Sequence, residues 1–226
     1  MAEIKICGIT SLEDASVAAE AGADAVGFIF YPGSPRFVTP RKARGIIGRL
    51  RPGVVKVGVF VNQDPSEVKG ITSYCGLDMI QLHGDESPDY CSGFPSELLI
   101  KALSGGDEED PEPWVRYTVR AFLLDARDPR LYGGTGKRAD WALAARLGRS
   151  RPLILSGGLN AANIRDAMEI VSPAAVDINS GVEVAPGKKD HAKVREIIRL
   201  VRQMGGAGKN GIFVSREGGC DGQGDA

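Results

Sequence analysis

Residues 5–10 read KICGIT, a short apolar run that ends on a thiol, a glycine and a turn. In an extended strand successive side chains face opposite sides, so Ile4 and Ile6 share one face while Lys5 and Cys7 share the other. If the apolar pair packs against helices, the lysine and the thiol point the other way, into the interior of the sheet this strand joins. The same arithmetic returns downstream. In DMIQLHG (78–84) Ile80 and Leu82 oppose Gln81 and His83, in AFLLDAR (121–127) Leu124 opposes Leu123 and Asp125, and in AVDINSG (175–181) Val176 and Ile178 oppose Asp177 and Asn179. Polar side chains therefore collect at the C-terminal ends of strands whose other face is apolar.

Outward from these stretches, β-branched or apolar runs alternate with segments of helical period, which predicts a parallel sheet. The predicted strands are Ile4–Ile9, Ala25–Phe30, Val55–Val61, Met79–His83, Leu98–Leu103, Ala121–Asp125, Leu153–Ser156 and Ala175–Asn179. The predicted helices are Leu12–Ala21, Arg41–Leu50, Pro65–Cys75, Pro88–Phe94, a Pro-rich Pro111–Val119, Trp141–Leu147, Ala161–Val171 and His191–Met204. An eightfold repeat in 226 residues has the count and length of a (β/α)8 TIM barrel, an α/β fold whose active sites lie on the loops after the strands. A doubly wound open sheet satisfies the same pattern. A single catalytic domain over residues 1–204 is expected. Residues 205–226, GGAGKNGIFVSREGGCDGQGDA, are Gly-rich without a periodic apolar face and read as a disordered, flexible tail, in which Ile212–Val214 makes at most a weak local contact.

Composition excludes several classes. Twenty-eight Lys and Arg against 29 Asp and Glu give a net charge of −1, without the electrostatic footprint of a nucleic-acid or membrane-surface binder. No apolar run approaches the roughly 20 residues that cross a bilayer, and MAEIKICGIT lacks the regions of a signal peptide. A cytoplasmic protein acting on a small-molecule substrate is expected. The four cysteines, Cys7, Cys75, Cys91 and Cys220, stand far apart without a CxxC pair, beside only two histidines. Neither a metal site nor a disulfide framework is expected, and Cys75 and Cys91 read as small apolar packing residues.

Among the polar positions, Cys7 reads either as an inert core thiol or as a base, and Lys5 on the same face would favour its thiolate. Asp125 is a loop carboxylate or, sheltered from water, a general acid. In an eight-strand ring the two would face one another across the mouth. His83 and Gln81 are supporting residues, structural or catalytic. Arg36, in SPRFV, is a surface charge or a bidentate carboxylate ligand. Glycine turns GGTG (133–136), SGGLN (156–160) and NSGVE (179–183) follow the sixth, seventh and eighth predicted strands, and loops after the last two strands of such barrels frequently hold phosphate. GGTGK is not a Walker A loop, because Leu131 replaces its first glycine and Arg138 follows the lysine.

KICGIT, GFIF with SPR, VGVFVN, QLHGDE, LLD, GGTGK, SGGL and DINSGVE through PGKKD, in this order, resemble the phosphoribosylanthranilate isomerases, barrel enzymes of tryptophan biosynthesis. The resemblance implies an Amadori rearrangement of N-(5-phosphoribosyl)anthranilate to 1-(2-carboxyphenylamino)-1-deoxyribulose 5-phosphate, without a cofactor. It implies Cys7 as general base and Asp125 as general acid, with Arg36 on the anthranilate carboxylate. Gln81, His83 and Asp177 join Arg36 as candidate substrate-binding residues, and Gly134, Gly136, Gly157, Gly158, Ser180 and Gly181 are the candidate phosphate ligands. A sugar-phosphate epimerase or a dual-substrate histidine and tryptophan isomerase would share the phosphate loops. The first usually needs a metal and the second two carboxylates, which a cysteine in the base position disfavours. A catalytically silent barrel is a third alternative, with a ligand site and no turnover.

Overall fold

The computed structural model describes residues 1–103, 113–125, 139–149, 151–205 and 211–215. Its strands are β1 Glu3–Ile6, β2 Ala25–Ile29, β3 Val55–Phe60, β4 Met79–Leu82, β5 Leu99–Leu103, β6 Ala121–Asp125, β7 Leu153–Ser156 and β8 Ala175–Ile178. Each pairs in parallel with the next, and β1 pairs with β8, so the sheet closes into a barrel. That pairing disposes of the open-sheet alternative.

Helices α1 Leu12–Ala21, α2 Pro40–Ile47, α3 Pro65–Cys75, α4 Pro88–Ser92, α5 Ala139–Gly148, α6 Ile164–Val171 and α7 His191–Gln203 connect the strands. Side-chain oxygens of Ser11, Thr39, Asp64, Ser87 and Asp190 accept first-turn N–H groups and set where α1, α2, α3, α4 and α7 begin. The predicted fifth helix, Pro111–Val119, departs from expectation. Its described part, residues 113–119, holds only a 3-10 turn, Pro113–Arg116, followed by irregular backbone. No helix among the described residues is long and apolar enough to cross a membrane.

The alternation within strands divides the buried residues into two layers. Ile4, Ile6, Leu82, Leu124, Val176 and Ile178 face outward and pack against the helices. Ala25, Val57, Met79, Ile100, Leu123, Ile154 and Ala175 face inward near the strand starts and form an apolar barrel floor. Above this floor β1, β4, β6, β7 and β8 present the polar Lys5, Gln81, Asp125, Ser156 and Asp177 to the interior, while Ile29, Val59 and Val61 keep the β2–β3 side of the cavity apolar.

The floor is closed by the C-terminal segment, which corrects the expectation of a weak contact at Ile212–Val214. Ile212 and Phe213 are 1% and 8% exposed and join the floor cluster. The Glu3 carboxylate accepts the N–H groups of both residues, while Arg120 Nε donates to the Ile212 carbonyl at 2.6 Å. A segment too short for periodicity is placed here by the apolar surface it meets. Deleting residues 206–226 is expected to lower stability by about 2–3 kcal/mol, the burial of one Ile and one Phe less the cost of ordering the segment. Thermal melting should show this as a fall of about 5–10 °C, with kcat unchanged because the polar end of the barrel is untouched. An unaltered Tm would mean that the contact contributes nothing.

Candidate active site

Lys5 is fully buried, which a lysine tolerates only when its ammonium is paired. Its Nζ donates to Asp177 Oδ2 on the adjacent β8 at 2.9 Å and to Gln81 Oε1 on β4 at 2.7 Å. The side chain therefore spans the barrel interior past β2 and β3. Burial is the largest influence and opposes the charge, but Asp177 and Cys7 together outweigh it and raise the Lys5 pKa above its ordinary value.

An ammonium has donors only, so Gln81 must turn its oxygen to Lys5 and its amide N–H to His83. Gln81 Nε2 lies 2.8 Å from His83 Nδ1, which makes Nδ1 the unprotonated ring nitrogen. Burial first, then the charge of Lys5, lowers the His83 pKa. The ring is thus neutral, with its proton on Nε2. Both ends of the Gln81 amide are engaged in this relay, so it orients its neighbours.

Cys7 stands just past the end of β1, 4% exposed, its backbone N–H donating to Ile178 O at 2.9 Å. Burial, followed by the Asp177 charge, pushes its thiol above the ordinary value, and the opposing pull of Lys5 and Lys189 does not prevail. Lys5 acts in the expected direction, but desolvation wins. The rate of Cys7 alkylation should therefore rise with pH to a midpoint above that of a free thiol. Asp177→Asn should lower this midpoint and Lys5→Met should raise it. Mass spectrometry of the Cys7 peptide reads it directly, and identical midpoints in all three proteins would contradict the assignment.

Arg36, in the loop after β2, is gripped by a residue that motif reading passed over. Its Nε donates to Glu183 Oε1 at 2.9 Å and its Nη2 to Glu183 Oε2 at 2.7 Å. Glu183 opens a short ribbon, Glu183–Ala185 paired with Lys188–Lys189, that follows β8. Lys189, 3% exposed, donates from Nζ to Glu183 Oε1 and to Asn179 Oδ1, each at 2.9 Å. Burial would raise the Glu183 carboxyl, yet the hydrogen bonds from Arg36 and Lys189 hold it below its ordinary value. Arg36 is thereby fixed in place with Nη1 unpartnered among the described residues. The available signal was the charge pattern in NSGVEVAPGKKD, whose partners are visible only in three dimensions.

The loops after β7 and β8 meet backbone to backbone. Gly157 and Gly158 adopt φ of 98° and 65°, a region that side chains rarely enter. At Gly181 a Cβ would lie 1.9 Å from the Leu159 carbonyl oxygen. Among the described residues no acceptor takes the backbone N–H of Gly157, Gly158, Ser180 or Gly181. Such clustered N–H groups suit an anion.

These parts surround one cavity of about 320 Å³, lined by Cys7, Arg36, Gln81, His83, Asp125, Asp177, Gly157, Gly158 and Ser180, with Tyr31, Ser34, Ser156 and Asn179. Gly181 is not among the lining residues; it follows Ser180, which is. Gly134 and Gly136 lie outside the described residues.

The sequence model of the family described as PRAI, N-(5'phosphoribosyl)anthranilate (PRA) isomerase, matches residues 4–200. The chain belongs to this family. Among its relatives, the N-(5'-phosphoribosyl)anthranilate isomerase of Syntrophus aciditrophicus is 56% identical over 206 residues, 91% of this chain and 90% of the relative. That of Thermotoga maritima is 47% identical over 206 residues, 90% of this chain and all of the relative. The crystal structure of the isomerase from Thermotoga maritima superposes with a TM-score of 0.81 at 46% identity, covering 90% of this chain and 100% of that one. A family crystal structure in complex with reduced 1-(o-carboxyphenylamino)-1-deoxyribulose 5-phosphate has a TM-score of 0.78 at 42% identity, over 90% of this chain and 100% of that one. The family match ends at residue 200, before the floor-closing segment 211–215.

Proposed function

We propose that this enzyme isomerises N-(5-phosphoribosyl)anthranilate to 1-(2-carboxyphenylamino)-1-deoxyribulose 5-phosphate, as its family membership indicates, with Cys7 as base and Asp125 as acid. The observation that carries the assignment of roles is their shared cavity: a thiol and a carboxyl from β1 and β6 line it together with Arg36 and the glycine loops. The phosphate is held by the N–H groups of Gly157, Gly158, Ser180 and Gly181. Arg36, braced by Glu183, offers Nη1 to the anthranilate carboxylate. Among the described residues Asp177 Oδ1 is buried without a hydrogen-bond partner; it takes a sugar hydroxyl, which relieves the cost of an unsatisfied acceptor. Neutral His83 donates from Nε2 to a sugar oxygen.

Asp125 gives a proton to the ring oxygen as the C1–O bond breaks, and the nitrogen lone pair forms the C1=N bond. The Cys7 thiolate then removes the C2 proton, and the electron pair moves into C1=C2 as the imine nitrogen is neutralised. The resulting enol tautomerises to the ketone, with C1 gaining a proton. Atoms and electrons balance without an external oxidant or reductant. A cytoplasmic site of action belongs to the same reading, supported by the free thiols of Cys7, Cys75 and Cys91.

The test is turnover of freshly generated N-(5-phosphoribosyl)anthranilate, followed by loss of anthranilate fluorescence, beside the imidazole-carboxamide aldose of a dual-substrate isomerase. Conversion of the first alone is expected. Absence of conversion would sink the proposal in favour of a silent barrel.

A further inference from the structure

We propose that Gly27 is a positioning residue for this reaction: the side chain missing from the middle of β2 is the space in which the Cys7 thiol and the Lys5 chain are seated. Its consequence for rate rests on the reading of Cys7 as the base.

β1 and β2 pair with Lys5 opposite Ala25 and Ile6 opposite Val26, so the next position sets Cys7 beside Gly27. Ala25 faces the barrel floor, and two residues on Gly27 faces inward as well. A Cβ on Gly27 would lie 2.7 Å from Cys7 Sγ, 3.0 Å from Lys5 Cε and 3.2 Å from Cys7 Cα. Backbone conformation does not require glycine here, since Gly27 is absent from the positive-φ positions. Space does. Glycine is otherwise costly in a strand, which makes a reason for it necessary.

The strand cannot retreat to make room. The Gly27 carbonyl accepts the Ile9 N–H at 2.9 Å, and β2 pairs on its other side with β3 through five successive partners. Lys5 must also pass β2 to reach Gln81 on β4. A methyl group at Gly27 would therefore move the thiol, the lysine or both. A misplacement of about 1 Å at a reacting group costs about a hundredfold in rate.

The experiment compares wild type, Gly27→Ala, Cys7→Ala and the double variant for kcat, KM, Tm and the pH profile of Cys7 alkylation. In Gly27→Ala, kcat should fall about a hundredfold with KM little changed, and the alkylation midpoint should move upward as Lys5 and the thiol are pushed apart. The Tm penalty of Gly27→Ala should shrink in the Cys7→Ala background, because the atom it strikes is gone. A folded Gly27→Ala protein with unaltered kcat and alkylation profile, or fully additive Tm losses, would overturn the proposal. Should Gly27→Ala fail to fold, folding restored in the double variant supports it and failure of both overturns it. Undiminished turnover in Cys7→Ala would remove the thiol as base, whereas the coupling in Tm would still report Gly27 as the seat of that side chain.

Discussion

Cys7→Ala is expected to lower kcat on N-(5-phosphoribosyl)anthranilate by about a thousandfold, and Asp125→Asn by a similar factor, with KM altered little in either. The thiol stands just past β1, where neither inward side chain of that strand can replace it: Lys5 is held as an ammonium between Gln81 and Asp177 and has no lone pair to offer, and Glu3 bonds Ile212 and Phe213 at the floor. His83 is the one imidazole lining the cavity, and its Nδ1 is occupied by Gln81. Asp177 lines the same cavity but is paired with Lys5, so it does not substitute for Asp125 as proton donor. Because the two residues serve successive proton transfers of one reaction, the double variant should be only slightly slower than the worse single one. Steady-state assays on the three variants decide this, and a rise in KM with kcat unchanged would assign both residues to binding.

The second large effect is expected from Gly181→Ala. The methyl group would fall on the Leu159 carbonyl, within the backbone of the neighbouring loop, where no rotamer change relieves the contact. The loops after β7 and β8 must separate, and their N–H groups no longer converge. A hydrogen bond to a charged group contributes about 1.5–3 kcal/mol, so losing one lowers phosphate affinity about tenfold to a hundredfold. KM for substrate and the inhibition constant of inorganic phosphate should rise together by that factor. Gly45→Ala, on the exposed face of α2 with nothing within 4 Å, is the neutral control. Equal KM values for the two variants would remove the phosphate role from these loops.

The barrel was legible because period-2 alternation and helix caps are local. Ile4 and Ile6 against Lys5 and Cys7 reports which face is apolar wherever the strand is placed, and the same holds at Gln81, Asp125 and Asp177. What escaped was set by register and by distant partners. Gly27 acquires meaning only when β1 is aligned beside it. Glu183 and Lys189 look like ordinary loop charges until the ribbon after β8 folds them onto Arg36 and Asn179. Ile212 and Phe213 have no pattern of their own and take their structure from the floor they cover. The thiol's resting state is likewise a balance, since burial and Asp177 oppose the two lysines and the sum cannot be read from adjacency in KICGIT.

The most direct measurement is single-turnover conversion of N-(5-phosphoribosyl)anthranilate carrying deuterium at the sugar C2, in the natural chain and in Cys7→Ala, followed by loss of anthranilate fluorescence. Removal of the C2 proton by the Cys7 thiolate predicts slower conversion of the deuterated substrate by the natural chain and almost none by the variant. Equal rates for the two isotopic substrates, with undiminished conversion by Cys7→Ala, would contradict it.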